Sequence, residues 1–474
     1  MARADDNAIP TSRIRRTAEV GTVVGAQGAR FAGTRAANIA RSPEGAAQAL
    51  ERRHLEAAEQ MVETLGRMKG AAMKVGQLAS FIDTEFLPPE YRDLYQHQLA
   101  TLRTTAPPMP WEKVVSVLEE EWEEPVEELF HDFEHEAAAA ASIGQVHRAV
   151  LCDGRRVAVK VQYPGVAEAI AADMQNAGLI FRMAKALAPG LDAKAAAEEL
   201  KERVMEELDY ELEAQNQRAF ARGYRGHPFI RVPDVVTRLS TSRLLVSEWV
   251  DGMGFEEVRR LPQPDRDRFG EIVFRFCFGS IFHLQHFNAD AHPGNYLLME
   301  DGSVAFLDFG MTKHLDKDQI ELEIAALEAV IDDDPEELRV ALHDLGFLSN
   351  PQKVDAELLM QHVRTIGGWY MEDREVTIDS RRVMEAIAAV SDPRSSFYRL
   401  MRRENIPANE LMGRRMESGV LAVLGQLRAA RNWYRIGREW WFADPPATEL
   451  GAQEWEYFES RGEKRARSFP ARET

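Results

Sequence analysis

Two short segments in the second half of the chain carry residue types that can hold nucleotide phosphates. Asp290 and Asn295 lie on one loop within the run Asn-Ala-Asp-Ala-His-Pro-Gly-Asn, and Asp308 follows an apolar run and precedes Phe-Gly. In phosphoryl-transfer sites a carboxylate orients the nucleophile, while an amide and a second carboxylate hold Mg²⁺ against the phosphates. Residues 299–303 predict a hairpin between the two segments. The spacing therefore predicts Asp290 as a catalytic residue and Asn295 and Asp308 as metal ligands.

A lysine lies in an alternating apolar run earlier in the chain. The run Val-Ala-Val-Lys-Val, with Lys160 as its fourth residue, predicts a strand. In two-lobed phosphotransferases a strand lysine contacts the nucleotide phosphates and pairs with a carboxylate on a helix. A single lysine of this kind is more often an exposed edge-strand residue, but here the other phosphoryl-transfer elements follow in order. Several carboxylates between residues 206 and 213 are candidate partners, and spacing alone does not choose among them.

The loop that would cover the phosphates contains alanine where glycine is expected. Ala139, Ala140, Ala141 and Ser142 precede the lysine strand at this place. Alanine does not adopt positive φ at low cost, so this loop is stiffer and offers fewer backbone N–H groups to phosphates than a glycine-rich loop does. The sequence therefore predicts a nucleotide site that differs from that of an ordinary protein kinase.

Composition and charge restrict the class of protein. A chain of 474 residues with 45% apolar and 28% charged residues is typical of a soluble protein with two or more structural units. The formal net charge of −19 argues against nucleic-acid binding. Residues 1–41 nevertheless carry a net charge of +4, and the residues beyond 461 are also basic. These ends are interpreted as flexible solvated termini or, alternatively, as contacts to an anionic membrane surface.

Cysteine usage and hydropathy bear on the compartment. Cys152 and Cys277 form neither a disulfide framework nor a metal-binding pattern. The sequence shows no signal peptide and no apolar run of about 20 residues, so no transmembrane segment is predicted. The prediction is a cytoplasmic protein, with peripheral contact at the inner face of the membrane as the alternative. Residues 272–287, interrupted by Arg275 and three other polar residues, predict a buried core helix.

The predicted elements indicate an α+β, two-lobed fold like that of protein kinases. Strands are predicted over 133–150 and 156–162, joined by a turn at Asp153 and Gly154, and again over 230–237 and 243–250. Helices are predicted over 166–187 and 193–222, and the chain beyond 252 is predicted to be helical apart from the site segments. The predicted domains are a flexible basic N-terminus (1–41), a helical extension (42–110), an N-lobe (111–252), a helical C-lobe (253–445) and a polar tail (446–474). An Arg- and Trp-rich cluster over 428–441 is interpreted as packing rather than as a ligand site.

The motifs, in their order, resemble the UbiB/AarF-domain-containing (ADCK) family of atypical kinases. They run from residue 74 to residue 310, about half of the chain. They are Lys74-x-Gly76-Gln77, Ala139-Ala140-Ala141-Ser142, Val157-Ala158-Val159-Lys160, Glu207-x-Asp209-Tyr210 with Glu213, Asp290-x-His292-Pro293-Gly294-Asn295, and Asp308-Phe309-Gly310.

The resemblance implies a role for each matching residue. Lys160 would bind phosphate and pair with Glu213, Asp290 would take the catalytic position, and Asn295 and Asp308 would bind Mg²⁺. The remaining roles implied by the family belong to an N-terminal helix that enters the site, to its acidic partners, to the nucleotide loop and to the backbone that meets adenine. The residues are Lys74, Gly76 and Gln77 on the helix, Glu207 and Asp209 as partners, Ala139, Ala140, Ala141 and Ser142 in the loop, and Glu248 and Val250 at the hinge.

The chain also departs from its relatives and from protein kinases. Several bacterial members of the family end in hydrophobic membrane helices, whereas this chain ends in a polar, basic segment. The His-Arg-Asp motif of protein kinases is Asn288-Ala289-Asp290 here, and no Ala-Pro-Glu follows Asp-Phe-Gly. The sequence therefore shows no machinery for peptide docking.

Three functions are compatible with this pattern. The first is an ATP- or ADP-binding, Mg²⁺-dependent atypical kinase or ATPase that acts on a small-molecule or lipid-associated substrate, by resemblance in isoprenoid-quinone or related lipid metabolism. The second is a protein serine/threonine kinase. The third is a nucleotide-gated scaffold without phosphotransfer. The presence of Lys160, Asp290, Asn295 and Asp308 together disfavours it, because a scaffold does not need all four.

Overall fold

The computed structural model describes residues 109–140, 143–167, 208–379 and 408–462. These residues divide into two units. The first contains 109–140, 143–167, 208–209 and 241–244, and the second contains 210–240, 245–379 and 408–462. The segment predicted as one N-lobe, 111–252, is therefore shared between the two units. The predictions for 1–41, for 42–108 with Lys74, Gly76 and Gln77, and for Ala141, Ser142 and Glu207 lie outside the described residues.

The first unit is a small antiparallel sheet with one amphipathic helix. Its elements are α1 (Trp111–Trp122), α2 (Val126–Leu129), β1 (Phe130–Phe133), β2 (Ala139–Ala140), β3 (Gly144–Leu151) and β4 (Arg156–Gln162). Strand β3 is central, since β1, β2 and β4 all pair with it antiparallel. The turn between β3 and β4 is the predicted Asp-Gly turn, and Gly154 has a φ of +86°, which suits glycine.

Successive side chains of β4 point to opposite faces of the sheet, and one of these faces is buried. Val157, Val159 and Val161 are buried, while Lys160 points to the opposite face and is half-buried. Helix α1 contacts β4 and has its own buried stripe at helical spacing. That stripe consists of Val114, Val117 and Leu118.

The single strand predicted over 133–150 is wrong, because the chain reverses within it. Strand β1 ends at Phe133, and the residues on either side of the bend that follows both bond to β3. The N–H of Glu134 donates to the carbonyl of Arg148 at 2.9 Å, and the N–H of Ala138 donates to the carbonyl of Val146 at 2.8 Å. The chain leaves the ladder at the exposed polar residues 134–136, rejoins it at β2, and reverses between Ala140 and Gly144.

The second unit is mainly helical, with short strands. Its helices are α3 (Tyr210–Gly223), α4 (Phe255–Val258), α5 (Gln263–Phe274), a π-helical segment (Arg275–Gly279), α6 (Ser280–Leu284), α7 (Lys317–Ile331), α8 (Pro335–Asp344), α9 (Ala356–Met371), α10 (Ala408–Leu427), α11 (Trp433–Trp441) and α12 (Glu449–Ser460). Its strands are β5 (Ile230–Arg231), β6 (Leu244–Glu248, with Leu244 counted in the first unit), β7 (Met253–Gly254), β8 (His286–Asn288), β9 (Tyr296–Leu298), β10 (Val304–Phe306), β11 (Thr312–His314), β12 (Val376–Thr377) and β13 (Ala430–Arg431).

Two small sheets carry the site segments. Strands β9 and β10 form the predicted hairpin, closed by the N–H of Met299 donating to the carbonyl of Ser303 at 2.8 Å. Strand β10 also pairs with β5, and β8 pairs antiparallel with β11. The strand predicted over 230–237 is too long, because Pro233 has no N–H to donate and only Ile230–Arg231 forms a ladder.

The predicted core helix at 272–287 is buried over 272–281, but it ends at Leu284, residues 286–287 belong to β8, and part of it is not α-helical. Residues Arg275–Gly279 form the π segment between α5 and α6, and all five are buried. Phe276 in this segment stacks on Phe306 of β10 with ring centroids 3.6 Å apart. The π segment therefore packs directly against the strand that leads to Asp308.

The C-terminal part of the second unit packs into the same core. Trp433, Trp440 and Trp441 are buried, which confirms the interpretation of the Arg- and Trp-rich cluster as packing. The polar tail predicted from 446 is wrong for 449–460, because α12 buries Leu450 and Phe458 together with the carboxylate residue Glu454. None of the helices in the described ranges is long and apolar enough to cross a membrane.

Candidate active site

One buried asparagine ties the two site segments together. Asn288 ends β8, and its side-chain oxygen accepts the N–H of Asp290 at 2.9 Å. Its side-chain nitrogen donates to the carbonyl of Asp308. The neighbouring backbone adds a third link, because the N–H of Ala289 donates to the carbonyl of Met311 at 2.7 Å. The loop at 289–295, called here the Asp290 loop, is thus fixed to the turn at 308–310, called the Asp-Phe-Gly turn.

Asn295 lies between the two aspartates. Its side-chain nitrogen donates to Oδ2 of Asp290 at 3.0 Å, and its carbonyl accepts the N–H of Leu307 at 3.0 Å. It closes a short 3₁₀ turn at Pro293–Asn295. Because the amide nitrogen is committed to Asp290, the amide oxygen is the atom that is left to bind a cation.

The Asp-Phe-Gly turn is held by helix α3. Oδ1 of Asp308 accepts the N–H of Gly310 at 3.0 Å, and the side chain of Asn216 on α3 donates to the carbonyl of Phe309 at 3.2 Å. The ring of Phe309 is fully buried, and its centroid lies 5.1 Å from that of Phe220, also on α3. Packing and hydrogen bonding therefore fix the direction of Asp308.

Glu213, predicted as the partner of the strand lysine, lies next to this turn. It is on the first turn of α3 and is buried. A Cβ atom added to Gly310 would lie 3.4 Å from Oδ1 of Asp308 and 3.8 Å from Oε2 of Glu213. The structure therefore brings Glu213, Asp290, Asn295 and Asp308 into one region of the second unit.

The donor set suits a hard divalent cation. Carboxylate and amide oxygens are the ligands that Mg²⁺ prefers, and it usually takes only one or two protein carboxylates together with phosphate oxygens and water. Within 109–140, 143–167, 208–379 and 408–462, no group of three or more His, Cys, Asp or Glu side chains could hold a metal ion. Asp308 with the amide oxygen of Asn295 therefore fits a Mg²⁺–nucleotide site better than a metal cage made by protein alone.

Two buried groups near the Asp290 loop, Tyr296 on β9 and Cys277 in the π segment, are neutral. Burial raises the pKa of Cys277 to about 12 and raises the pKa of Tyr296 well above its usual value. Asp290 is among the charges that raise the pKa of Tyr296 further. Both groups stay protonated at neutral pH, and the buried Cys277 thiol is therefore unreactive.

An arginine that the sequence did not point to contacts the central carboxylate. Nη2 of Arg415, on α10, donates to Oδ1 of Asp290 at 2.9 Å, and its Nε donates to the carbonyl of Ala289 at 3.2 Å. The two side chains of the ion pair are 23% and 22% exposed, so water screens the pair only in part. No motif in the sequence marks this residue, which lies far along the chain in an ordinary helix.

The other predicted site residues lie in both units. In the first unit, Ala139 and Ala140 form β2, Lys160 is on β4, and Asp209 is exposed just before α3. The alanine loop is followed by Gln145, whose side-chain oxygen accepts the N–H of Met109 at 2.7 Å.

At the predicted hinge in the second unit, the backbone of Glu248 is partly committed. Its N–H donates to the carbonyl of Asp234 at 2.9 Å, and its carboxylate pairs with Arg231. The predicted contact with adenine would therefore use the carbonyl of Glu248 rather than its N–H, together with the backbone of Val250.

Comparisons with known proteins agree with this site. Residues 101–342, just over half of the chain, match the model of the ABC1 atypical kinase-like domain. Atypical kinase COQ8B, mitochondrial, from Rattus norvegicus is 34% identical over 62% of this chain and 55% of its own length. AarF domain-containing protein kinase 1 from Xenopus laevis is 31% identical over 62% of this chain and 57% of its own length. The chain spans about half the length of the curated relatives it matches.

A solved structure matches over a larger part of the chain. The Rv3197–erythromycin complex from Mycobacterium tuberculosis is similar with a TM-score of 0.60 and 31% identity, and the match covers 84% of this chain and 99% of that one. The predicted kinase-like α+β fold and the predicted resemblance are both confirmed. The chain belongs to the ABC1 atypical kinase-like family, in which the UbiB and ADCK proteins are grouped.

Proposed function

We propose that this protein is an ATP-binding, Mg²⁺-dependent atypical kinase or ATPase. The observation that carries the proposal is that the buried side chain of Asn288 links the backbone of Asp290 to that of Asp308, while Asn295 bonds to the Asp290 carboxylate. An acid, an amide and a second acid in one rigid cluster are the groups that phosphoryl transfer requires. Membership of the ABC1 family supports the same function.

Each residue of the cluster has a distinct role in this proposal. Asp308 and the amide oxygen of Asn295 would hold Mg²⁺, which neutralises charge on the transferring phosphoryl group when it is bound. Asp290 would accept the proton of the acceptor hydroxyl, or of a water molecule, and orient its oxygen. The nitrogen of Asn295 fixes the plane of the Asp290 carboxylate, so that little reorganisation is needed during transfer.

The remaining contacts to the nucleotide rest on the family pattern. Lys160 would bind the phosphates with Glu213 as its partner, and Ala139, Ala140, Ala141 and Ser142 would form the loop over them. Glu248 and Val250 would contact adenine through their backbone. The helix that carries Lys74, Gly76 and Gln77, with Glu207 and Asp209 as its partners, would close the site to peptides.

The acceptor is proposed to be a small or lipid-associated molecule rather than a protein. A role in isoprenoid-quinone or related lipid metabolism is what the resemblance to the UbiB/ADCK family implies, and the relatives include proteins named COQ8B, mitochondrial, and ACTIVITY OF BC1 COMPLEX KINASE 1, chloroplastic. A location in the cytoplasm with peripheral contact to an anionic membrane belongs to the same proposal. Phosphate transfer to protein is the alternative outcome of the experiment below.

A second candidate function is nucleotide-gated binding of a large amphiphilic molecule without phosphate transfer. It is favoured by one observation, the likeness of nearly the whole Rv3197 chain, which was solved with erythromycin. Equilibrium binding of erythromycin with and without ATP would support it if affinity depends on nucleotide while no phosphate is released.

The experiment is a measurement of Mg²⁺-dependent ATP turnover with and without anionic liposomes and quinone-precursor mimics. Asp308→Asn should abolish turnover, because the variant loses the anionic metal ligand. Asp301→Asn is the matched control, since that exposed carboxylate only caps the β9–β10 hairpin through Ser303. Equal turnover in wild type and Asp308→Asn, or no Mg²⁺-dependent nucleotide binding at all, would contradict the proposal.

A further inference from the structure

The Asp290 loop contains no cation of its own. Between Asp290 and Asn295 the sequence is Ala-His-Pro-Gly, without lysine or arginine. The carboxylate is nevertheless paired, because Arg415 reaches it from α10, more than a hundred residues later in the chain. The charge that balances the central acid is therefore supplied by a separate helix.

Helix α10 is positioned on this loop by a close backbone approach. Gly419 lies one helical turn after Arg415, on the same face. A Cβ atom added to Gly419 would lie 2.8 Å from the Cβ of Ala291, closer than real side chains approach each other. Met416 and Val420 beside it are buried and hold the helix in place. Glycine at this position allows α10 to come close enough for the arginine side chain to reach Asp290.

The hydrogen bonds of Arg415 fix both its own side chain and the carboxylate. One bond goes to Oδ1 of Asp290 and the other to the carbonyl of Ala289, so the guanidinium cannot turn away without breaking both. Asn295 holds the second oxygen, Oδ2. Each carboxylate oxygen has two lone pairs, so the acceptor hydroxyl can still donate to Asp290 while both of these bonds are kept.

We propose that Arg415 is a positioning residue for Asp290, and this inference rests on the proposed function of the site. It fixes the carboxylate in the plane needed to receive the acceptor proton, and α10 is therefore part of the catalytic apparatus. Lysine can replace the charge but not the two-point contact, because an ammonium group lacks the planar fork of a guanidinium.

The first measurement is steady-state ATP turnover with separate kcat and KM values for ATP. In Arg415→Gln, kcat should fall about 10- to 100-fold while KM for ATP changes less than about 3-fold, because the nucleotide ligands are untouched. Arg415→Lys should recover part of kcat. Arg414→Gln is the matched control, since its guanidinium packs over the ring of Phe347 instead. A kcat for Arg415→Gln equal to that of the control would overturn the inference.

The second measurement separates this inference from the proposed function. Thermal unfolding of Asp290→Asn, Arg415→Gln and the double variant forms a double-mutant cycle that needs no activity. The shifts in midpoint should be non-additive if the two side chains interact, and strictly additive shifts would refute the positioning role. If wild type shows no turnover that depends on Asp308, the proposed function fails, while the cycle still decides whether Arg415 holds Asp290.

Discussion

Replacing Arg275 should destabilise the second unit severely. This side chain in the π segment is completely buried, and its guanidinium contacts the carboxylates of Glu271, Glu439 and Glu454 at 2.8–3.0 Å. Thr448 accepts a further hydrogen bond from it at 3.0 Å. The substitution Arg275→Met keeps a long side chain of similar reach but removes the cation that contacts all three acids.

The size of the effect follows from burial. The side chains of Glu271, Glu439 and Glu454 are only 2%, 6% and 4% exposed, so water cannot replace the lost partner. Removing one partner of a buried ion pair costs about 3–5 kcal/mol. At about 2–4 °C per kcal/mol for a domain of 150–250 residues, the unfolding midpoint of this unit should fall by about 6–20 °C.

The pH dependence of the loss identifies its cause. Burial opposes ionisation of Glu454, but the charge of Arg275 outweighs it and lowers the pKa of Glu454 to about 2, below its usual 4.5. Wild type therefore gains stability from this group above pH 4.5 and loses it as pH falls toward 2. In Arg275→Met the buried acids must take up protons on folding, so the deficit relative to wild type should grow as pH rises from 5 to 8.

The assay is thermal unfolding followed by circular dichroism at pH 5, 6, 7 and 8. Arg225→Met is the matched control, because Arg225 pairs with Asp234 on the surface, where an ion pair contributes less than about 1 kcal/mol. Adding Glu439→Gln and Glu454→Gln to Arg275→Met should recover part of the midpoint. A deficit that matches the control, or one that does not change with pH, would refute the reasoning.

Three further predictions concern single side chains. Burial lowers the pKa of His362 to about 4, so its contribution to the free energy of unfolding is complete above pH 6.5 and should fall by about 3 kcal/mol toward pH 4. His362→Asn should remove this part of the dependence of the unfolding free energy on pH, measured by urea unfolding. An unchanged pH dependence in the variant would contradict the prediction. A Cβ on Gly437 would overlap the buried ring of Trp441, so Gly437→Ala should cost about 1–3 kcal/mol in urea unfolding, whereas Gly368→Ala, whose Cβ meets nothing closer than 3.4 Å, should cost nothing. Equal stabilities of those two variants would be the contrary result. Asn288→Ala loses two hydrogen bonds of about 1 kcal/mol each, so ATP turnover should fall about 10- to 30-fold, and a wild-type kcat would exclude its linking role.

The site was predictable where its residues are close in sequence. Asp290, Asn295 and Asp308 lie in two segments joined by a hairpin, so local patterns alone place them together. The structure adds what a local pattern does not contain. In the sequence Asn288 marks only a departure from a known motif, yet its side chain holds both segments. Arg415 belongs to a helix whose sequence shows no sign of the carboxylate that it meets.

The fold was predictable in its elements and less so in their lengths. The hairpins at 151–156 and 299–303 follow from Asp-Gly pairs between apolar runs, and both occur. One strand was predicted over 133–150 where there are three, because the bend at 134–136 and the reversal after Ala140 carry no glycine or proline to mark them. Arg275 looked like an interruption of an apolar helix. The three carboxylates that permit its burial lie on α5, α11 and α12, and the two on α11 and α12 are too distant in sequence to be recognised from local patterns.

The partners of the buried arginine bear on where this protein can be divided. The match to the family model ends at residue 342, but Glu439 and Glu454, which contact Arg275, lie beyond that point. A fragment cut at 342 would lose two of the three carboxylates that contact Arg275, and it would expose the core that α11 and α12 cover. The recognisable domain is therefore shorter than the autonomous folding unit, and a stable recombinant fragment must extend through α12.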